Sequence, residues 1–158
     1  MKWKESKARG ESAESKFIDI IGDSFIRRAD RKEDIHEHWD VLFELDGKET
    51  KVDIKGAKKN LRSDAKVDND IHFWEFKNVA GKKGWGVPSE VDRLIAFEVA
   101  DGFILVNPSD IFEPLQKKCS EAGEGYGLFQ CRGRSGRNDW FSKIPVDFLR
   151  QYSCGFIC

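Results

Sequence analysis

The sequence lacks a long apolar run, and it lacks an excess of charge of either sign. No segment approaches the roughly 20 apolar residues that span a bilayer, and the start, MKWKESKARGES, is charged and has no apolar h-region. We therefore expect a cytoplasmic protein with no membrane partner. With 27 basic and 28 acidic residues the formal net charge is −1, so a nucleic-acid-binding surface would have to come from local segregation of charge.

Cysteines at metal-binding spacing are also missing, because the sequence contains no C-x2-C pair. The four cysteines all lie toward the end of the chain: Cys119, Cys131, Cys154 and Cys158. Without an export signal we expect a reducing environment, and hence free thiols with a structural role. A zinc or redox module built from these cysteines stays open as an alternative from a different class of protein.

Internal repeats, low-complexity tracts and long linkers are absent as well. At 158 residues, with 39% hydrophobic and 12% aromatic content, the chain can bury one core. We therefore predict a single domain over residues 1–158.

The first half of the chain reads as a helix followed by strands. The stretch 12–26 places apolar residues at helical spacing, and Glu14 projects to the edge of that apolar face. Glu14 is therefore either half-buried with a functional role or a polar residue at the rim of the apolar face. Alternating apolar residues predict a hairpin at 38–56 and a third strand at 71–78.

The second half is predicted from turn and capping signals. After the glycine-rich loop GKKGWGVP, a capping box at Ser89 and Asp92 predicts a second helix that reaches Val99. Further elements are a buried strand at 103–106, strands at 126–132 and 139–144, and a helix from Pro145. Together these elements predict an α/β protein whose mixed sheet combines an antiparallel meander with a crossover.

The hairpin carries one aspartate on each arm. With Asp46-Gly47 as a two-residue turn, Asp40 falls directly opposite Asp53. On the other face the same register pairs apolar and β-branched residues: Trp39 with Ile54, Val41 with Val52, and Phe43 with Thr50. A slip of one residue would bury charges, so this apolar face fixes the register.

Facing aspartates repel each other unless a cation lies between them. With Cβ atoms roughly 5 Å apart, Asp40 and Asp53 suit one divalent ion such as Mg²⁺, with Mn²⁺ able to substitute. Lys55 falls on the same face, where it can orient or deprotonate an attacking water, and the Ile54 carbonyl is a further candidate ligand. The alternative is that both aspartates are solvent-facing strand residues paired with His38 or nearby lysines. Relief of the repulsion predicts that Asp53→Ala stabilises the metal-free fold.

The order of a helix, a strand, a tight turn, a strand with D-x-K, a strand, a helix and a buried strand resembles the PD-(D/E)xK, or restriction-endonuclease-like, nuclease superfamily. The resemblance implies a single nuclease domain with an α-β-β-β-α-β core at about 10–112, a mixed sheet flanked by helices, and a C-terminal β/α extension at about 113–158. It also implies four catalytic residues, with Glu14 binding the metal directly or through water: Glu14, Asp40, Asp53 and Lys55. Trp39 stands where the family name has proline, a frequent departure in this divergent group.

Clusters of basic residues predict a phosphate-binding surface. The candidate nucleic-acid-binding residues are Lys58, Lys59, Lys77, Lys82, Lys83, Trp85, Arg132, Arg134 and Arg137. Each cluster alone is more readily explained as a solvated face, but together they could neutralise a phosphate backbone with little regard to base sequence. Trp85, between two glycines, is a candidate to stack on an exposed base or wedge a duplex step, and otherwise a lid on the core.

Taken with the resemblance, these residues predict a Mg²⁺-dependent endonuclease that hydrolyses DNA phosphodiester bonds. No segment reads as a target-recognition domain, so cleavage is expected to be structure-directed or weakly sequence-specific. The Q-x-x-x-Y signature of exonuclease members does not follow the core. A Holliday-junction resolvase acting as a homodimer, a non-catalytic nucleic-acid-binding module with the same fold, and RNA as the substrate are the alternatives left open.

Overall fold

The computed structural model describes residues 2–158, with side chains from residue 12 onward. Over this range the chain is mixed α/β. Its α-helices are α1 (Lys2–Ile21), α2 (Pro108–Ala122) and α3 (Val146–Gln151), and short 3-10 and π-helical turns lie at Gly22–Ser24 and Glu33–Glu37. Its strands are β1 (Phe25–Arg28), β2 (Val41–Leu45), β3 (Lys48–Lys55), β4 (Ile71–Lys77), β5 (Leu94–Val99), β6 (Gly102–Val106), β7 (Cys131–Arg132), β8 (Trp140–Pro145) and β9 (Ser153–Ile157). None of the helices in the described range is long and apolar enough to cross a membrane.

The chain forms two compact units, each assembled from separate stretches. The first unit contains the chain up to Ala57 together with Val91–Asn107 and Ser153–Cys158, and the second contains Lys58–Glu90 and Pro108–Tyr152. The predicted division near residue 112 falls inside α2. The single-domain interpretation of residues 1–158 stays a prediction.

A six-stranded mixed sheet forms the first unit, in the order β1-β2-β3-β5-β6-β9. Strands β3 and β5 are parallel, and every other neighbouring pair is antiparallel. The prediction of a mixed sheet is therefore confirmed. Helix α1 packs on one face, where the buried ring of Phe17 meets Phe43 and Phe103 edge to face at centroid distances of 5.4 and 5.2 Å.

Helix α1 ends earlier than the apolar pattern predicts. The helix ends at Ile21, and Gly22 follows with a φ of +54°, a left-handed conformation that commonly ends helices. The predicted continuation to residue 26 is wrong, because Phe25 already begins β1. The predicted inward residues Ala13 and Phe17 are fully buried.

The hairpin of β2 and β3 has the predicted register. Val41 pairs with Val52, Phe43 with Thr50 and Leu45 with Lys48. Asp46 and Gly47 form the turn with φ values of +51° and +78°. Positive φ at both central residues is what a two-residue hairpin turn requires, which is why Asp-Gly predicts it.

The predicted second helix at 89–99 is wrong, because residues 94–99 form β5. This strand lies between β3 and β6, and Ile95, Ala96 and Phe97 are all fully buried. A strand covered on both faces has no polar alternation, so its apolar residues can match a helical spacing by coincidence. The crossover between the parallel strands β3 and β5 is therefore made by residues 56–93, which contain β4 and no α-helix.

The second unit is built on a three-stranded antiparallel sheet in the order β4-β8-β7. The prediction that 71–78 is the third strand of the meander is wrong, since β4 pairs with the distant β8 and not with β3. The predicted strand at 139–144 and helix after Pro145 are confirmed by β8 and α3, whereas the strand predicted at 126–132 is reduced to the two residues of β7. Helix α2, β1 and β9 were not predicted.

Candidate active site

Asp53 and Lys55 lie on the face of the large sheet that points away from α1. Their neighbours Val52 and Ile54 belong to the core that includes Ala13 and Phe17 of α1, and alternate residues of a strand point to opposite faces. Asp53 is only 4% exposed, and the Nζ atom of Lys55 lies 3.2 Å from its Oδ1. The predicted D-x-K pair is therefore an ion pair between a buried aspartate and a partly exposed lysine.

A second cation, Arg93, faces the other oxygen of Asp53. Its Nη1 atom lies 4.0 Å from Asp53 Oδ2, and its side chain is almost completely buried. Arg93 directly precedes β5, the parallel neighbour of β3, and this pairing brings it to the site. Burial lowers the pKa of Arg93, while the charge of Asp53 opposes that shift. Sequence reasoning missed this residue, because a single arginine inside a predicted helix carries no signal.

Asp40 lies at a break in the regular pairing of β2 with β3. The regular ladder ends at Val41 and Val52, and the N–H of Asp40 also donates to the carbonyl of Val52 at 2.8 Å. Because Asp40 and Val41 then oppose the single residue Val52, we infer a β-bulge, a device that often re-aims a side chain beside a functional site. The Oδ2 atom of Asp40 accepts the N–H of Ile54 at 2.7 Å. Asp40 thus contacts β3 through a hydrogen bond and is not registered directly opposite Asp53.

The same break moves Trp39 off the face that holds Val41 and Phe43. The Trp39 ring is buried beneath the cationic groups of Arg27 and Lys51, which lie 5.1 and 5.3 Å from its centroid. Both residues flank Leu42 in the sheet, on the face opposite to Val41. The predicted pairing of Trp39 with Ile54 on the core face is therefore wrong, because the extra residue at Asp40 reverses the alternation.

The electrostatic environment of Asp40 favours a protonated carboxyl. Burial, the largest cause, together with the negative charge of Asp53 raises its pKa from 3.8 to about 8. The hydrogen bond from Ile54 and the charge of Lys55 oppose this shift, while Glu14 adds to it. Two carboxyl groups therefore share a site that disfavours a second negative charge.

Glu14 is engaged by another partner. Its Oε1 accepts a hydrogen bond from Nη1 of Arg28 on β1, and the two side chains are partly exposed. Its charge still reaches Asp40, as the raised pKa of Asp40 records. The structure thus places Glu14 near Asp40 but in an ion pair of its own.

His38 joins the same neighbourhood from the residue before Trp39. Its backbone adopts the left-handed conformation, with a φ of +57°, and its ring is half-buried. Burial lowers the pKa of His38, and the charges of Arg93 and Lys55 lower it further, while Asp53 and Asp34 oppose them. The imidazole is therefore held neutral near pH 7.

Two carboxyl groups at this site, those of Asp40 and Asp53, are of the kind that could hold a magnesium ion. Asp53 Oδ2 is buried and accepts no hydrogen bond from any described residue, and Asp40 carries a carboxyl whose proton a cation could replace. Mg²⁺ commonly takes one or two carboxylates and keeps water or phosphate oxygens for its other positions. No three His, Cys, Asp or Glu side chains converge as a metal-binding group among the described residues, and Glu14 is paired with Arg28, so the role of Glu14 in binding a metal stays a prediction. Ile54 turns its N–H toward Asp40, and its carbonyl stays a predicted ligand only.

The candidate nucleic-acid-binding residues all belong to the second unit. They comprise Lys58, Lys59, Lys77, Lys82, Lys83, Trp85, Arg132, Arg134 and Arg137. Lys77, Lys82, Lys83 and Arg137 are exposed, but the guanidinium of Arg134 is bound to the buried carboxylate of Asp139 at 2.6 and 2.7 Å. Arg134 therefore anchors its own loop.

Trp85 packs within the second unit, and its side chain is only half-exposed. Its ring lies 5.4 Å from that of Trp74, and its backbone N–H donates to the carboxylate of Glu75. Gly84 and Gly86 permit this approach, because a Cβ atom on either would lie within 2.7 Å of the Glu75 carbonyl oxygen. The contacts favour the interpretation of Trp85 as a lid on the core.

The four cysteines are free thiols in the structure. Cys119 and Cys131 are buried in the second unit, and burial raises the pKa of both, that of Cys131 to about 12. Cys154 and Cys158 are exposed in the first unit.

Comparison of the chain with protein-family models, with curated proteins and with solved structures finds no match in any of the three. The interpretation of the site therefore depends on its own residues and their geometry.

Proposed function

We propose that this chain is a metal-dependent nuclease that hydrolyses phosphodiester bonds in DNA, with an active site of the PD-(D/E)xK kind. The observation that carries the proposal is the buried Asp53 carboxylate, which has Lys55 on one oxygen and leaves the other without a hydrogen bond from the described chain. A buried aspartate with an unused oxygen, a second carboxyl beside it and a lysine on the same face is the composition that such a site requires.

In this proposal Asp40 and Asp53 hold a Mg²⁺ ion, or Mn²⁺ in its place. The bound ion supplies positive charge that polarises a phosphoryl oxygen and acidifies a water molecule. Arg93 places a second positive charge 4.0 Å from the oxygen of Asp53 that Lys55 does not contact. Asp40 would bind the ion as a carboxylate, because the positive charge of the ion would compensate the negative charge that burial disfavours.

Lys55 acts on the water and on the phosphate. Its ammonium group is held by Asp53 at 3.2 Å, so its position on the sheet is fixed before substrate binds. From there it orients the attacking water and stabilises the negative charge that develops on the phosphate. Glu14 acts through a water molecule, because its carboxylate is paired with Arg28.

The restriction-endonuclease-like topology is part of the same proposal. The chain order α1, β1, β2, β3 and the parallel pairing of β3 with β5 support it, while the crossover without a helix departs from the α-β-β-β-α-β order. A non-catalytic nucleic-acid-binding module is the second candidate. The specific observation in its favour is that Lys55 and Arg93 already neutralise Asp53 as a structural ion-pair network would.

Cleavage of labelled DNA tests the proposal. The purified protein is incubated with Mg²⁺ or Mn²⁺ and linear duplex, flap, single-stranded and four-way-junction DNA, with RNA in parallel. We expect cleavage that Asp53→Asn and Lys55→Ala each reduce by about 100-fold or more. Glu49→Gln and Lys48→Ala, exposed residues of the same strand, serve as matched controls and should cleave like wild type. Absence of cleavage on every substrate, or equal rates in all variants, contradicts the proposal.

A further inference from the structure

The three-stranded sheet of the second unit has one face covered by α2 and an opposite face, here called the open face, on which Phe73, Phe141 and Lys143 are partly exposed. On the covered face Ser142 and Ile144 of β8 are fully buried, and helix α2 packs there. Phe76 of β4 contacts Phe112 of α2 at a ring distance of 6.2 Å, and Ser142 is near enough to the buried thiol of Cys119 on α2 to influence its pKa. Because side chains alternate along a strand, the residues between these ones point away from α2.

Aromatic rings and an arginine form a continuous row on the open face. Phe73 of β4 meets Phe141 of β8 edge to face at 6.0 Å. The guanidinium of Arg132, registered beside Phe141 on β7, lies 5.3 Å from the Phe141 centroid and 4.3 Å from the centroid of Tyr126. Tyr126 is 77% exposed, the largest exposed fraction among the exposed large hydrophobic side chains of the described chain.

Such a row is unusual for a surface that contacts only water. Large aromatic side chains are normally buried, because covering one removes roughly 150–250 Å² of its surface from water. Here the exposed ring of Tyr126 lies against the guanidinium of Arg132, and Phe141 and Phe73 are only half-buried. The row thus offers flat π surfaces that are already oriented.

We propose that this open face, defined by Phe73, Tyr126, Arg132 and Phe141, binds single-stranded nucleic acid by stacking unpaired bases on its rings. The proposal depends on the proposed nuclease function for the choice of polymer. Bases inside a duplex are stacked on each other and cannot lie flat on Tyr126, whereas unpaired bases can. Charge complementarity supports the same occupant, because the adjoining loop RGRSGR carries three arginines and no acidic residue.

The basic side chains next to the row differ in whether they already have a protein partner. Arg134 is bound to Asp139, and Lys143 donates to Asn60 at 3.0 Å, so both have protein partners already. Arg137 is exposed in the same loop and can contact phosphates as the strand crosses the face. Glu75 is the acidic residue on this side of β4, and its Oε1 accepts the N–H of Trp85. We therefore assign base stacking to the rings and phosphate contact to Arg137.

Binding without divalent ions tests the open face separately from cleavage. The full chain is titrated, in the presence of EDTA, into a dye-labelled thymidine oligonucleotide and into a duplex of equal length, and anisotropy is followed. We expect the single strand to bind more tightly than the duplex. Tyr126→Ala should weaken single-strand binding by about 5- to 100-fold, the range expected for loss of one base stack, and Tyr126→Phe should bind like wild type.

Control variants separate stacking from charge and from the active site. Arg132→Lys keeps the positive charge but removes the planar group that supports Tyr126, so it should weaken single-strand binding, whereas Phe156→Ala, on the exposed side of β9, should not. Asp53→Asn should lose cleavage and keep single-strand binding, so a failure of one proposal is distinguishable from a failure of the other. Equal binding by wild type and Tyr126→Ala, or tighter binding of the duplex, would overturn the assignment.

Discussion

The carboxylate of Asp40 accepts a hydrogen bond from the backbone N–H of Ile54 at 2.7 Å. Ile54 lies between Asp53 and Lys55, so this bond attaches the β-bulge of one arm of the hairpin to the D-x-K segment of the other. Burial and the nearby charge of Asp53 raise the pKa of Asp40 to about 8. The metal-free site therefore favours the protonated form of Asp40.

The first prediction concerns the pH dependence of stability without metal. Between pH 3.8 and about 8 the folded protein keeps a proton on Asp40 that the unfolded chain has released, so the free energy of unfolding decreases as pH rises. The slope from one proton is at most about 1.4 kcal/mol per pH unit. Asp40→Asn, which can still accept the Ile54 N–H, should flatten this decrease in urea unfolding measured from pH 5 to 8 with EDTA.

Glu49→Gln is the matched control for the pH experiment, because Glu49 is an exposed carboxylate on β3. It should leave the pH profile of wild type unchanged. If Asp40→Asn and wild type lose stability in parallel as the pH rises, Asp40 does not carry the proton and the electrostatic description of the site is wrong.

The second prediction concerns the ion pair of Asp53 and Arg93. From the sequence alone, repulsion between the carboxyl groups of the hairpin predicts that loss of Asp53 stabilises the metal-free fold. Because Asp53 faces the buried Arg93, we expect the opposite change, a lower free energy of unfolding. Removing one partner of a buried pair leaves the other charge uncompensated, and such changes cost about 3–5 kcal/mol. At 4.0 Å the pair is long, so we expect Asp53→Asn to lower the free energy of unfolding by about 1–3 kcal/mol.

A double-mutant cycle isolates this interaction. Arg93→Met keeps much of the side-chain volume and removes the charge, so Asp53→Asn should cost less in the Arg93→Met background than in wild type. Additive losses would show that the two residues do not interact. A higher melting temperature of Asp53→Asn without metal would support the repulsion argument instead.

The extent to which this site could be predicted depends on how local its signals are. Asp46-Gly47 fixes a turn within a few residues, so the hairpin register and the D-x-K face were both predicted from neighbouring positions. The inferred bulge at Asp40 has no such signal; it follows the left-handed backbone of His38, and the carbonyl of Asp40 accepts the N–H of Ala29, which is distant in the sequence. Arg93 reaches Asp53 only through the parallel pairing of β3 with β5, which is a nonlocal contact.

The errors in the fold have the same physical origin. Strand β5 is buried on both faces, so its residues carry no period of two and matched a helix instead. Strand β4 alternates clearly and was predicted as a strand, but its partner β8 lies far along the chain, and an alternating pattern does not specify a partner. The mixed sheet was predicted; the division of strands between two sheets was not.

The third prediction separates a metal-linked role of Glu14 from a purely structural one. The Glu14–Arg28 pair is partly exposed, so removing it should change the free energy of unfolding by about 1 kcal/mol or less. If Glu14 acts on the metal through water, Glu14→Gln should weaken Mg²⁺ binding about 10-fold or more in a titration at pH 8. Arg28→Gln breaks the same ion pair and should bind Mg²⁺ at least as tightly as wild type, because it removes a competing cation. Equal weakening by both variants would indicate a structural role.

The fourth prediction concerns Gly86, which lies against the indole of the buried Trp74. The Trp74 Nε1 atom donates to the Gly86 carbonyl at 3.1 Å, and a Cβ atom at this position would overlap Nε1 and lie 2.6 Å from the Glu75 carbonyl oxygen. Because both obstacles are fixed, one by burial and one by the backbone of β4, Gly86→Ala should lower the free energy of unfolding by about 1–3 kcal/mol in urea titrations.

Gly155 provides the matched control for that substitution. A Cβ atom there would meet Leu105 at 3.4 Å, which is an ordinary contact distance, and its backbone needs no positive φ. Gly155→Ala should therefore be neutral or slightly stabilising, because alanine reduces the conformational entropy of the unfolded chain. If Gly86→Ala is as well tolerated as Gly155→Ala, the loop GKKGWGVP is not packed on β4, and Trp85 is then free to act on a ligand.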